Sequence, residues 1–394
     1  WVEDENFDLE YHVRHIALPK PGDWRQFCIQ ASRIHARALD LQRPLWEIYV
    51  IEGLDSISDL PPGSFALLTK IHHAAIDPET RNEFVELLHD VTHTPHTPEP
   101  PEPWFPERAP GPVPLLLRAG WHLLGSPSKV LRPARRMLPS AMGFVHDLLR
   151  PDRHPAPTRF NTIVSPHRVF DTRRFGLDEF ERIRTLVPGA SVNDAVLAVC
   201  AGGLRRYLAG HAELPQADLW ARVSLDIGAD GPPDASTATI GLGTCVEDAV
   251  ERLAWVHAQT SAPDALTDAA ELPPPACTIT HVPGPPVPVY LQGARMSYFS
   301  AILPIADGMG LVFAVSGYDG RIVVSPTSCR ELMPDPQVFT QAVRDSFQEY
   351  LALADAATKA PVRKARTPRR RRTAAGTRAP ATATTRKTDT APAA

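Results

Sequence analysis

Residues 65–77 have the sequence Phe-Ala-Leu-Leu-Thr-Lys-Ile-His-His-Ala-Ala-Ile-Asp, which is the most specific pattern in the chain. Its apolar first half predicts a β-strand over residues 65–71. Apolar residues then recur at the spacing of an amphipathic helix: Phe84, Leu87, Leu88 and Val91. His72 and His73 therefore lie on a strand-to-helix connection, where a rigid scaffold can present a side chain to a substrate.

The histidine pair admits three interpretations. The two residues could be ordinary loop histidines in a chain that has 15 of them. They could bind a metal, because histidine and aspartate both ligate zinc and iron. They could also supply a general base, because a neutral imidazole with an ordinary pKa of about 6.5 accepts a proton at neutral pH. In the last case Asp77 would hold the loop in place.

The sequence argues against the metal. Adjacent side chains on an extended segment point to opposite faces, so His72 and His73 would not share one ion. The chain has neither an HExxH nor a CxxC pattern that would complete a coordination sphere. We therefore expect no metal ligand among these residues.

Further segments share the pattern of one enzyme family and follow its order along the chain. They are residues 1–4 (WVED), 7–14 (FDLEYHVR), 43–47 (RPLWE), 191–194 (SVND), 282–285 (VPGP), 291–294 (LQGA), 306–308 (ADG) and 318–321 (YDGR). Together with the HHxxxD motif they resemble the bacterial wax ester synthase/diacylglycerol acyltransferase family. Chloramphenicol acetyltransferase and the condensation domains of peptide synthetases share the histidine motif. The resemblance extends to about residue 353.

The resemblance implies an α/β (α+β) fold with two chloramphenicol-acetyltransferase-like sandwich subdomains. A tunnel would run between them, with the histidine motif at its middle. The implied activity is acyl-CoA-dependent O-acylation of diacylglycerol or a long-chain alcohol, which gives triacylglycerol or wax ester. CoA is a substrate in that reaction, so no cofactor is expected. The residues matching the family's catalytic and substrate-binding positions are His73, as general base, with His72, Asp77, Asn193, Asp194, Pro44 and Trp46.

The chain departs from the family pattern in four places. Pro78 stands where the motif has glycine, and His281 replaces the asparagine usual before the VPGP segment. The stretch 236–246 is short, and the sequence starts at Trp1 without the family's leading segment. We therefore expect an N-terminally incomplete copy. The alternative function is that of a catalytically weak homologue that binds lipids or acyl chains.

The charge is unevenly distributed. The whole chain carries −4, yet residues 359–394 contain 11 Lys or Arg residues and a single acid, Asp389. Ala, Pro and Thr interleaved with basic residues cannot form a core, so a disordered basic tail is predicted. Phosphates attract such a tail on DNA or on lipid. Nucleic-acid binding through the tail is therefore a further alternative, which we favour less than lipid.

Composition limits the cellular setting. The five cysteines are scattered and odd in number, which indicates reduced, intracellular thiols. No run of 18 apolar residues is present, so no transmembrane helix is expected. A soluble enzyme for insoluble acceptors needs a lipid surface. We expect a cytoplasmic protein, peripheral to the inner membrane or lipid droplets, docked through the basic amphipathic segment 115–150 and the tail 359–394.

The composition shifts predict four segments. Residues 1–94 form the first acyltransferase half, with a helix over 24–39 and a strand over 46–51. Residues 95–158 are a proline-rich linker and the basic amphipathic segment. Residues 159–353 form the second half, which ends in a helix around residues 339–350. Residues 354–394 are the tail.

Three of the family segments also have plain structural interpretations. Ser191 and Asp194 have the spacing of a capping box at the start of a helix over 191–208. Trp46 can be a core residue at the entry of a strand. Asp319-Gly320 predicts a type I′ turn between strands over 310–316 and 321–327.

Overall fold

The structure, a computed structural model, describes residues 6–75, 83–95, 158–224, 237–261 and 273–359, with 113–117 and the single residues 4, 111 and 121. Residues 1–358 form one compact unit, which contains both sheets described below, and residues 359–394 a second. Of the predicted tail, residues 354–394, the structure describes 354–359.

The first sheet has three strands and belongs to the N-terminal half. They are β1 (Val13–Ala17), β2 (Trp46–Glu52) and β3 (Ala66–Ile71). Strand β2 is central, parallel to β1 and antiparallel to β3. Helix α2 (Trp24–Ala36) covers one face, where Ile34 packs with Tyr49 and Ile51 of β2. The four-residue helix α1 (Leu9–His12) leads directly into β1.

The second sheet has seven strands. They are β4 (Arg168–Phe170), β5 (Arg173–Gly176), β6 (Trp220–Ser224), β7 (Thr237–Gly241), β8 (Cys277–Pro283), β11 (Val312–Tyr318) and β12 (Arg321–Cys329). Their order is β4-β12-β11-β8-β6-β7, and β5 also pairs with β12. The short strands β9 (Tyr290–Leu291) and β10 (Ala294–Arg295) form a separate hairpin. The two sheets with their own helices agree with the predicted architecture.

Helices of the C-terminal half share one core with this sheet. They are α4 (Leu177–Arg184), α5 (Val192–Gly210), α6 (Ala249–Thr260) and α7 (Pro336–Lys359); α3 (Glu83–Leu88) belongs to the N-terminal half. Helix α5 is buried along most of its length. It crosses α7 closely at Gly203, where a Cβ atom would lie 2.8 Å from the Cα of Val343. Glycine is required there because any side chain would displace the α7 backbone.

Local signals predicted the structure well where the partner residues are near in sequence. Ser191 and Asp194 form the expected capping box at the start of α5. Asp319 and Gly320 both have positive φ, 47° and 71°, as a type I′ turn requires. The final helix was also expected, but it continues through residues 354–359 because Ala354 is still buried.

The predicted helix over Phe84–Val91 was wrong in its extent and its buried face. Helix α3 ends at Leu88, and the side chains of Leu87 and Val91 are exposed. Asp90 instead exchanges two backbone hydrogen bonds with Tyr290, of 2.7 and 2.8 Å. This pairing draws the chain into an extended bridge, and the spacing of apolar residues carries no information about it.

Helix α2 ends three residues before the predicted position 39. The Lys70 ammonium group donates to the Ile34 carbonyl at 2.9 Å and to the Arg37 carbonyl. Both carbonyls are thus satisfied without a further helical turn, and Arg37 adopts an extended conformation.

Candidate functional site

The histidine loop is held by the strand that precedes it and by its neighbour β2. The His72 amide donates to the Leu45 carbonyl at 2.9 Å, which continues the β2–β3 ladder by one residue. The chain then turns, since residues His73–Ala75 form a single turn of 3₁₀-helix, closed by Ala75 N–H donating to the His72 carbonyl at 2.8 Å. The position of His72 is therefore fixed by main-chain bonds on both sides.

The two imidazoles lie side by side. Their centroids are 4.4 Å apart and the ring planes differ by 28°. The expectation that they point to opposite faces was wrong, because the turn begins at His73 and ends the alternation of an extended strand. The adjacency argument against a shared metal therefore fails. Within the described part of the chain no group of three or more potential metal ligands occurs.

The two rings differ in their partners. The Ala74 amide donates to His72 Nδ1 at 3.2 Å, so that nitrogen is the acceptor and the neutral ring carries its proton on Nε2. His73 is exposed, and its ring has no hydrogen bond to any residue that the structure describes. The His72 ring thus helps to hold the loop, whereas the His73 nitrogens have no hydrogen-bond partner among the described residues. Asp77 and Pro78 lie outside the described residues.

The segment Pro44–Trp46 contacts the histidine loop directly. Leu45 supplies the carbonyl that holds His72, and Trp46 opens β2 opposite Ile71. The half-buried Trp46 indole packs on the ring of His12, with centroids 4.7 Å apart, and the Trp46 carbonyl is 2.7 Å from His12 Nδ1. Pro44 accepts from the Trp46 amide at 2.8 Å. Trp46 thus lies at the entry of a strand, as the structural interpretation predicted, but it is half-buried and is not a core residue. Its substrate-binding role stays a prediction.

A partly buried polar network joins β1 and β2, and the sequence analysis did not predict it. Tyr49 donates to Glu47 at 2.8 Å, and Arg14 donates to the Tyr49 hydroxyl at 3.2 Å and lies 3.7 Å from the Glu47 carboxylate. Lys70 is opposite Glu47 in the register of β2 and β3. Burial and the neighbouring Glu47 raise the pKa of Tyr49. Burial lowers the pKa of Lys70, an effect that Glu47 opposes. Strand alternation places Glu47 and Tyr49 on one face, so the signal was present in the sequence.

Asp194 is engaged by protein donors on every side. Its carboxylate accepts from the Ser191 amide at 2.8 Å and from the Thr260 hydroxyl at 2.6 Å, and it lies 2.9 Å from His257 Nδ1. Burial alone would raise its pKa, but these hydrogen bonds outweigh burial and lower it. The geometry supports a positioning role for Asp194, since it ties the start of α5 to α6.

Asn193 lies half-buried in the first turn of α5, directly before Asp194. The described contacts join Pro44–Trp46 to His72, and they join Asp194 to His257 and Thr260. The meeting of Asn193 with His73 in one tunnel remains a prediction.

Comparisons with known proteins cover most of the chain. Residues 1–196 match the wax ester synthase/diacylglycerol acyltransferase catalytic domain, and residues 259–350 match the C-terminal domain of the same family. A Mycobacterium tuberculosis protein named as a diacylglycerol O-acyltransferase is 30% identical over 91% of this chain and 84% of its own length. The O-acyltransferase WSD of Acinetobacter baylyi is 29% identical over 88% of this chain and 82% of its own.

A solved structure has the same fold. The wax ester synthase/diacylglycerol acyltransferase from Marinobacter aquaeolei VT8 superposes with a TM-score of 0.65 and 26% identity. The match covers 90% of this chain and 83% of the Marinobacter chain.

Proposed function

Because the chain belongs to the wax ester synthase/diacylglycerol acyltransferase family, we propose that it is an O-acyltransferase that esterifies diacylglycerol or a long-chain alcohol with acyl-CoA. In this proposal His73 is the general base. The observation that carries it is the contrast between the two imidazoles. His72 Nδ1 accepts from the Ala74 amide, whereas the exposed His73 ring has no hydrogen bond within the described residues.

The reaction needs one proton acceptor near the acceptor alcohol. His73 takes the hydroxyl proton while the alcohol oxygen attacks the thioester carbon, and a tetrahedral intermediate forms. The intermediate collapses by breaking the carbon–sulfur bond, and the departing thiolate takes the proton from the His73 imidazolium. A positioned general base contributes roughly 10²–10⁴-fold to such a step. Holding two substrates together in a tunnel would add more through proximity.

Asn193 is the proposed donor to the developing oxyanion, by correspondence with the family's ND segment. Asp194 then has a positioning role. Its bonds to Ser191, His257 and Thr260 fix the first turn of α5, on which Asn193 lies. Asp77 is proposed to anchor the loop, and Pro44 and Trp46 to line the substrate path. CoA enters as part of the acyl-CoA substrate and leaves as the free thiol, so the proposed chemistry requires no resident cofactor.

The test is an assay of the full chain with radiolabelled acyl-CoA, offered diacylglycerol and hexadecanol in parallel. We expect an ester product in the wild type and its loss in His73→Ala, with an unchanged thermal midpoint. His89→Ala is the matched control, because His89 is a histidine that caps α3 through the Val85 carbonyl. Equal rates in His73→Ala and wild type would remove His73 as the base. A folded wild type that binds acyl-CoA without turnover would favour the lipid-binding alternative.

We also propose that the protein works at a lipid surface, the cytoplasmic face of the inner membrane or a lipid droplet. An apolar segment supports this. Residues 113–117 are helical, and Val113, Leu116, Leu117 and the nearby Trp121 are each at least 65% exposed. The rest of the basic segment 115–150 lies outside the described residues. Within the described part of the chain no helix is long and apolar enough to cross a membrane.

A further inference from the structure

An open groove of about 660 Å³ lies where elements of the two halves meet. The start of α2, the turn between β4 and β5, the end of α5 and the start of α7 form its walls. Crevices between domains are preferred positions for ligands. The groove is separate from the histidine loop, and none of the residues assigned above lines it.

Three arginines from three of these elements line the groove. Arg25 of α2 is exposed, and no ion pair or hydrogen bond joins it to another described residue. Arg206 of α5 forms a surface pair with Glu349 at 2.9 Å, which is a weak interaction in water. The Arg173 Nε is buried and has no partner within the described residues. Arg173 also pairs with Asp171 at 3.2 Å and donates to the Thr172 carbonyl at 2.9 Å, so the donors that the groove offers are those of Arg25 and of the weakly paired Arg206.

The acids of the groove offset the charge of Arg173 but have no bond to Arg25 or Arg206 among the described contacts. Asp171 is buried, and its carboxylate accepts from the Trp24 indole at 2.8 Å, from Arg173 at 3.2 Å and from the Thr340 hydroxyl. Asp345 lies exposed at the rim and accepts from Gln341 at 2.8 Å. The fork of an arginine matches phosphate oxygens in geometry and charge. The groove thus suits a phosphorylated ligand.

Helix α2 extends from this groove toward the strand that precedes the histidine loop. The helix begins at Trp24 in the groove, and the Ile34 carbonyl near its other end accepts from Lys70, two residues before His72. A helix of 13 residues is roughly 20 Å long. The pantetheine arm of CoA separates the thioester from the nucleotide phosphates by a distance of this order.

Resting on the proposed function, we propose that this groove binds the phosphorylated nucleotide of acyl-CoA. Arg25 and Arg206 contact its phosphates, and the half-buried Trp24 indole offers an apolar surface to the base. The thioester at the far end of the pantetheine arm then reaches the histidine loop. The groove is a binding site and takes no part in proton transfer.

The test is calorimetric titration of the full chain with CoA and with 3′,5′-ADP, which carries the nucleotide without the pantetheine arm. Arg25→Ala and Arg206→Ala should each raise the Kd of both ligands about tenfold. The matched control is Arg344→Ala, because Arg344 is an exposed arginine of α7 outside the groove, and it should leave both Kd values unchanged. Arg173 is kept, since its loss would remove a partner of Asp171.

The outcomes separate this proposal from the acyltransferase assignment. Arginine-dependent binding of 3′,5′-ADP in a protein without turnover would uphold the groove and refute the proposed function. Binding of CoA that ignores both substitutions, or no binding of either nucleotide, would overturn the groove. Anionic vesicles form a third arm of the titration. If Arg25→Ala and Arg206→Ala weaken vesicle binding and spare CoA binding, a lipid headgroup is the ligand and the proposal is wrong.

Discussion

His72 and His73 are neighbours in sequence, yet the chain uses their rings differently. The His72 ring accepts from the Ala74 amide and stacks on His73, so it shapes the turn that presents its neighbour. The contrast arises because the 3₁₀ turn starts one residue after the last strand bond. A residue that orients a base affects the rate through geometry, and a displacement of about 1 Å can cost up to a hundredfold.

The role of His72 predicts an order among its variants. His72→Asn keeps an acceptor close to the position of Nδ1, whereas His72→Leu removes it and leaves the Ala74 amide without that bond. We expect His72→Asn to retain a rate within about tenfold of wild type and His72→Leu to lose about a hundredfold. Steady-state kinetics with thermal midpoints would measure this. Equal losses in both variants, or a full loss in His72→Asn, would instead indicate a direct chemical role.

The stability of the fold is predicted to depend on pH through His35. Burial, and then the charges of Lys70 and Arg168, lower the pKa of His35 from 6.5 to about 4. Between these values the unfolded chain binds a proton that the folded chain does not, so stability falls as pH drops from about 6.5 to 4. The loss is about 3 kcal/mol at most. His35→Gln should make the decline of the thermal midpoint over this range shallower.

The control for His35 is the exposed His15, which lies 3.2 Å from Glu52 on the surface. His15→Gln should leave the decline unchanged, because solvent screens that pair. A wild-type midpoint that is flat from pH 6.5 to 4, or a decline that His35→Gln does not alter, would contradict the lowered pKa of the half-buried His35.

At the scale of elements, the crossing of α5 and α7 depends on a missing side chain. A Cβ at Gly203 would lie 2.7 Å from a Val343 methyl and 2.8 Å from its Cα, which is far closer than carbon atoms pack. Gly203→Ala should therefore destabilise the fold by about 1–3 kcal/mol, despite the better helix propensity of alanine. Chemical denaturation measures the change.

The same helix contains its own control. At Gly210 an added Cβ would meet nothing within 4 Å, so Gly210→Ala should be neutral or slightly stabilising. If Gly203→Ala were as stable as Gly210→Ala, the helices would not be in contact at this point.

Elements set by neighbouring residues were predictable, and those set by distant ones were not. The Ser191–Asp194 capping box and the Asp319-Gly320 turn use residues at most three apart, so their pattern is visible in the sequence. The end of α2 depends on Lys70 of β3, and the end of α3 on the pairing of Asp90 with Tyr290. No local spacing encodes these bonds.

In the candidate site, too, the motif residues were predictable, and the contacts between distant residues were not. The HHxxxD motif located His72 and His73, but the extended-strand argument gave their orientation wrongly. The contact from Leu45 to His72 joins residues that adjacent strands bring together. The network of Arg14, Glu47 and Tyr49 likewise requires the pairing of β1 with β2. Strand pairing could be predicted only after the order of strands in the sheet was known.

At the scale of the molecule, access to insoluble acceptors needs a surface that adheres to lipid. Two segments are candidates, the exposed apolar residues near 113–121 and the basic tail over 359–394. Each Lys or Arg near an anionic leaflet contributes about 1 kcal/mol, and salt screens this attraction. Apolar side chains that insert into the interface contribute a part that salt does not remove. The two contributions can therefore be separated by experiment.

Liposome co-sedimentation at low and high salt, with anionic and neutral lipids, distinguishes the two segments. Truncation after Lys359, which keeps α7 whole, should reduce the salt-sensitive part of binding, to which the basic residues of 115–150 also contribute, and spare the salt-resistant part. Leu116→Asp with Leu117→Asp should abolish the salt-resistant part, since both side chains are at least 70% exposed. Ile163→Asp is the matched control, as an apolar residue equally exposed elsewhere. If the intact chain ignores liposomes but shifts DNA at physiological salt, the tail serves nucleic acid and the lipid-surface proposal is wrong.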